Sequence, residues 1–258
     1  MSRDLSASPS DRSRGSSAPT TIGLRPLRLA LLAVVALFPT LAAWLYFVEL
    51  ANTPWMRVAY AGSKIVQGAL PLLGWWALAM ERRPAWSARP GAAVAGLLSG
   101  GVLGGFVLAA FAGLLPAWLS LGGIAGRIHQ RLADLGLATP TRYLLMALGL
   151  SVVHSLFEEY YWRWFLLGQL EQRLPFPAAL AIASLAFASH HWIVVDSFLG
   201  GEHRLAATLP ITLGVAVGGA IWGWLFRRHR SLLAPWLSHL LVDGALMAIG
   251  WQLVAHRL

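Results

Sequence analysis

The chain has 258 residues, of which 57% are hydrophobic and only 12% charged, a composition that suits a bilayer and excludes an ordinary soluble domain. Its net charge of +9 lies mostly in arginines of the N-terminal tail and of connections, and no aromatic-basic motif accompanies it, so it reads as an orientation and headgroup signal rather than a nucleic-acid footprint. The absence of cysteine excludes disulfides, thiolate catalysis and cysteine metal sites.

Residues 1–24 are rich in Ser, Arg, Pro, Thr and Asp and read as a disordered cytoplasmic tail. The next segment is too long for a signal-peptide core and lacks a convincing cleavage site, so it counts as a span. Apolar stretches recur near 28–48, 58–80, 92–119, 142–168, 177–199, 207–226 and 232–254. This predicts an all-α polytopic transmembrane helical bundle of about seven spans, since a β-barrel would show short alternating segments instead. Between 120 and 141, Arg127, Arg131 and Asp134 interrupt the apolarity and predict an amphipathic interfacial helix. The chain thus divides into a tail (1–24), N-terminal spans with the interfacial segment (25–141) and a C-terminal transmembrane core (142–258).

Arg3, Arg12, Arg14, Arg25 and Arg28 precede the first span, Arg82, Arg83 and Arg89 follow the second, and Arg227, Arg228 and Arg230 follow the sixth. With seven spans these groups share one side, which places the N-terminus in the cytoplasm; Arg127, Arg131 and Arg142 fall opposite and weaken the rule. In the third span Gly96, Gly100 and Gly104 lie four apart on one helix face and predict close helix packing, with a similar contact expected at Gly214 and Gly218.

Ionisable residues stand inside the later spans, where a charge costs about 2.5–3.5 kcal/mol on insertion scales and usually has a partner or a task. In Glu158-Glu159-Tyr160-Tyr161-Trp162-Arg163, Glu159 and Arg163 are four apart and form a local pair with the acid N-terminal to the base. Glu158 points about 100° away. It shares its face with His154, Tyr161 and Trp162 and, unlike Glu159, has no local counter-ion, which suits a general base or acid. Phe187 precedes the pair His190-His191, of which helix geometry lets one enter a shared site. His239 and Asp243 lie one turn apart in the last span, behind Ser231 as N-cap and Pro235 early in the helix. Read alone, each group has a bland alternative: headgroup-level charges for the Glu–Arg pair, a hydrogen-bonded core residue for a histidine, a self-satisfied pair for His239 and Asp243. Together they supply what is needed to activate water and stabilise an oxyanion.

Glu158-Glu159-x-x-x-Arg163, Phe187-x-x-x-His191 and His239-x-x-x-Asp243, in this order in separate apolar segments, resemble the CPBP family of intramembrane proteases, which includes the CAAX prenyl endopeptidases of eukaryotes and many bacterial relatives. Pro235, four residues before His239, is similar to family usage, and the resemblance covers about residues 142–254. It implies a glutamic-type endopeptidase without cofactor or metal. Glu158 would activate water, His191 would help hold it, His239 and Asp243 would stabilise the oxyanion, and Glu159 and Arg163 would support the site or orient substrate. Family members often carry asparagine at the Asp243 position, and an ionised aspartate cannot donate to an oxyanion. Either Asp243 is protonated, or it orients His239 and the imidazole alone donates; the second is the favoured reading.

The expected partners are the bilayer and a membrane-associated protein or peptide substrate, in a bacterial inner membrane. A zinc protease remains open, because His191, His239, Asp243 and Glu158 are acceptable ligands, although no His-Glu-x-x-His occurs. Ser99, Ser151, Ser184 and Ser189 sit in no nucleophile motif. A proton-coupled transporter, or a membrane partner on a degenerate protease scaffold, is the non-enzymatic alternative, because buried His and Glu also build proton relays.

Overall fold

The computed structural model describes residues 25–80, 91–113, 121–199 and 204–258. The tail 1–24, with Arg3, Arg12 and Arg14, and the loop arginines Arg82, Arg83 and Arg89 lie outside the described residues. The molecule is a helical membrane bundle, with no strand among the described residues.

In chain order, α1 (Arg25–Trp44) continues into a π-helical turn (Leu45–Glu49), followed by α2 (Trp55–Trp76), α3 (Ala92–Gly113) and α4 (Leu121–Asp134). Residues 140–170 form one rod, α5, built of Pro140–Leu148, π-helical Gly149–His154, Ser155–Glu158, π-helical Glu159–Leu167 and Gly168–Leu170. Then come α6 (Phe176–Leu199), α7 (Arg204–His229) and α8 (Leu233–Val254). Five described helices are long and apolar enough to cross a membrane: Arg25–Glu49, Ala92–Gly113, Phe176–Leu199, Arg204–His229 and Leu233–Arg257. The other two expected spans, α2 and α5, carry polar groups that lower their hydropathy: Lys64 and Gln67 in α2, Glu158, Glu159 and Arg163 in α5.

The segment expected to be interfacial is the helix α4. It buries Ile124, Ala125 and Leu132 and is tied to its neighbours by polar contacts. Arg127 donates to Phe198 O at 3.1 Å, Arg57 donates to the Asp134 carbonyl, and the His129 ring nitrogen lies 2.9 Å from Arg257 O.

Close helix contact sets the site's frame. α3 and α8 make the most extensive helix pair. A Cβ at Gly100 would lie 2.8 Å from Ser238 Cα, and one at Gly104 would lie 3.2 Å from Leu241 O, whereas one at Gly101 or Gly105 would meet nothing within 4 Å. The small face is therefore spent on α8, while Leu98, Val102 and Phe106 are exposed toward the surroundings. In α7 the sequence expectation needs correction. Gly214 faces open space, and the neighbours of Gly218 belong to Trp222 on its own helix. The close approach to other elements falls at Gly219 and Gly223, against Phe187, Arg163, Leu180 and Leu167. The four-residue spacing identified a small stripe but not which stripe faces a partner.

At the start of α8 the N-cap is Leu232 rather than the expected Ser231, whose Oγ accepts from Leu233 N at 3.2 Å from one residue earlier, and Pro235 is fully buried in the first turn. One core cluster joins α1, α5, α6 and α7 through Val35, Tyr161, Trp162, Phe165, Phe187 and Trp222, and Tyr161 hydroxyl fastens it by donating to Val35 O at 2.8 Å.

Candidate active site

The rod α5 supplies both glutamates at the point where it widens. Glu158 ends an α-helical piece and Glu159 begins the π-helical one. A wider turn narrows the angle between successive residues, so neighbours that would diverge on an α-helix can face one cluster; such turns recur at functional sites. Glu158 and Glu159 are 4% and 0% exposed, and both reach the same imidazole.

That imidazole is His239. Its Nδ1 lies 2.8 Å from Glu159 Oε1, and its Nε2 lies 3.6 Å from Glu158 Oε2 and 3.5 Å from Asp243 Oδ1. An ionised carboxylate only accepts, so Nδ1–H donates to Glu159 and Nε2 is the face turned to the site. The ring stacks on Trp222 with centroids 3.9 Å apart and planes 16° from parallel. Trp222 Nε1 in turn donates to Ser238 Oγ at 3.0 Å, the residue before the histidine. Glu159, paired by sequence with Arg163, is thus also the carboxylate hydrogen-bonded to His239. Asp243 stands beyond a good hydrogen bond, on the Nε2 side.

Arg163 Nη1 lies 3.0 Å from Glu159 Oε1, as the four-residue spacing anticipates. Its guanidinium carbon sits 4.4 Å from the Phe187 ring centroid and 5.1 Å from that of Trp222. Two aromatic faces therefore flank a cation that is 3% exposed, which holds the plane that meets Glu159.

Glu158 is ringed by imidazoles rather than left without partners. His190 Nε2 lies 3.2 Å from its Oε1 and His154 Nε2 lies 3.4 Å from the same atom. Helix geometry suggested that one of His190 and His191 would face the site. Both do: one donor atom each from Glu158, His190 and His191 lie within 4.8 Å of one another. Their roles differ by tautomer. The carbonyl of Phe187 can only accept, and His191 Nδ1 is 3.0 Å from it, so Nδ1 carries the proton and a neutral His191 keeps a lone pair on Nε2. His190 instead holds Glu158 directly and lies parallel to Trp162, with centroids 5.5 Å apart and planes 5° from parallel.

All six residues singled out by sequence (Glu158, Glu159, Arg163, His191, His239 and Asp243) meet in this one cluster, with His154 and His190 added. His154 was legible from its place one turn before Glu158. His190 was obscured because adjacency on a regular helix argues against both histidines converging.

Residues 140–245 match the sequence model of the family described as Rce1-like, type II CAAX prenyl endopeptidase. The matched segment runs from the start of α5 into α8 and contains every residue of the cluster. With the apolar helices around it, the match supports an integral membrane protein and a CAAX-type intramembrane protease. No curated protein and no solved structure matches the chain.

Proposed function

We propose that this protein is an intramembrane endopeptidase in which Glu158 activates water. The observation that carries this reading is one buried carboxylate held by His154 and His190 at 3.4 and 3.2 Å, facing across the site to a third histidine, His239, fixed by its own carboxylate at 2.8 Å.

A water between Glu158 and the Nε2 lone pair of His191 gives one proton to Glu158 while its oxygen attacks the scissile carbonyl carbon. The carbonyl π electrons move onto oxygen, and imidazolium His239 donates to that oxyanion from Nε2 while Nδ1–H stays on Glu159. The intermediate collapses, the C–N bond breaks, and Glu158 returns its proton to the departing amine. Aspartate at 243 stands beside Nε2, where it attracts the imidazolium. The substrate is a membrane-attached or membrane-embedded protein segment, reached in a bacterial inner membrane.

The test uses the purified full-length chain and a membrane-anchored peptide library, with cleavage read by mass spectrometry in ¹⁸O-water. Glu158→Gln is expected to lower the cleavage rate about 10²–10⁴-fold with its unfolding temperature preserved. Undiminished cleavage by the folded variant overturns the role of Glu158.

A second reading has one observation in its favour: the donor atoms of Glu158, His190 and His191 are close enough together to hold a metal ion. Cleavage by protein verified metal-free would remove it; cleavage that returns only with stoichiometric zinc would replace the first reading.

A further inference from the structure

Lys64 lies midway along α2, outside the segment matched to a known family, and the hydrolysis described above does not use it. Its position follows from how α2 docks on α5. Tyr160 hydroxyl donates to Gly68 O at 3.1 Å, and a Cβ at Gly68 would lie 3.5 Å from the Phe157 ring. Lys64 is one turn before Gly68 on the same face. Phe157 directly precedes Glu158. The lysine is half-buried on the face of α2 that packs against Phe157 and Tyr160, the residues on either side of the two glutamates. On the same side, the rings of Tyr46 and Tyr60 meet edge to face at 5.4 Å. Glu158 therefore has His239 of α8 on one side, while α2, which carries Tyr60 and Lys64, packs on the residues flanking the glutamate pair.

The partners of Lys64 are neutral. Nζ donates to Gln67 Oε1 at 3.1 Å and lies 5.4 Å from the Tyr60 ring centroid. No carboxylate of the described residues comes within 4.0 Å of it. An ammonium has three donors, of which Gln67 takes one. A cation held by neutral groups beside a buried reaction centre is arranged to receive an anion. A peptide substrate, with carboxylates of its own, is the component of the reaction that supplies one.

We propose that Lys64 is a substrate-binding residue that clamps a carboxylate on the fragment leaving the scissile bond. This rests on the hydrolase reading. The carboxylate is either the C-terminal group of the substrate or an acidic side chain near the cut.

The experiment measures kcat and KM of the full-length protein on four versions of one cleaved peptide: C-terminal acid or amide, each with Asp or Asn in the leaving fragment. Wild-type protein is expected to show a KM lower by about tenfold to a hundredfold for a peptide bearing the recognised carboxylate. Lys64→Gln removes that preference by raising KM for that peptide with kcat held, and Lys64→Arg retains part of it. The acid–amide comparison reports the C-terminal source and the Asp–Asn comparison the side-chain source. Equal KM for all four peptides on wild-type protein overturns the proposal, and so does a Lys64→Gln variant that loses kcat equally on all four, which would assign the lysine to the electrostatics of Glu158. Should Lys64→Gln fail to fold, the wild-type and Lys64→Arg preferences decide. Failure of wild-type protein to cleave any version of a peptide library overturns the hydrolase reading beneath it, a result distinct from cleavage without carboxylate preference.

Discussion

Glu159 serves two partners with one oxygen: Arg163 Nη1 at 3.0 Å and His239 Nδ1 at 2.8 Å. All three side chains are 3% exposed or less. Removing one member of such a set leaves a buried charge uncompensated, which typically costs about 3–5 kcal/mol. Glu159→Gln is therefore expected to lower stability by about that amount, read by thermal or denaturant unfolding in detergent, and to lower cleavage further by freeing the His239 ring. An unchanged unfolding midpoint would mean that Arg163 finds another anion. Asp243 is the milder position, because it lies 3.5 Å from Nε2 and holds no strong hydrogen bond to the ring. Asp243→Asn is expected to retain cleavage within about tenfold, since asparagine can donate to the oxyanion that aspartate cannot. Complete loss would show that the negative charge beside His239 is required.

At the scale of elements, two devices place these residues. The π-helical turns of α5 bring adjacent glutamates onto one cluster, and the glycine face of α3 lets α8 come near enough to seat His239. Gly100→Val puts a branched side chain where even a Cβ would lie 2.8 Å from Ser238 Cα. It is expected to destabilise by about 1–3 kcal/mol or more and to depress cleavage with it, since Ser238 adjoins the histidine. Gly101→Val, one residue on and facing open space, is the matched control and is expected to leave cleavage near wild type. Equal behaviour of the two variants would mean that the α3–α8 contact does not position the site. The periodicity of small residues was legible in α3, where three glycines at intervals of four stand in one stripe. It misled in α7, where Gly214 and Gly218 have the spacing but Gly219 and Gly223 have the contacts. Spacing defines a face; the partner helix chooses between faces.

For the whole molecule, the polar interior and apolar exterior follow from the solvent. In lipid, backbone groups are satisfied within helices, and charged side chains survive where they pair with one another. The cluster on α5, α6 and α8 is such a pairing, and its exposed flanks, such as Leu97, Val102 and Leu185, are apolar. Arginine placement carries a separate expectation, that the N-terminus faces the cytoplasm. A reporter fused to the N-terminus is expected to be inaccessible to impermeant labels in intact cells and accessible after lysis. Labelling in intact cells would reverse the orientation.

Sequence alone determined the helical membrane architecture, the approximate elements and the identity of the ionisable cluster. Hydropathy, helix periodicity and residue chemistry are local properties, written over a few turns of chain. It also identified the Glu159–Arg163 pair, because both partners sit on one helix four residues apart. Only the tertiary structure decided that Glu159 holds His239, that His190 joins His191 at Glu158, and that α2, which carries Lys64, docks on Phe157 and Tyr160 beside the two glutamates. These depend on how far one helix is rotated and how closely it approaches another, which packing across the bundle sets and no single segment encodes.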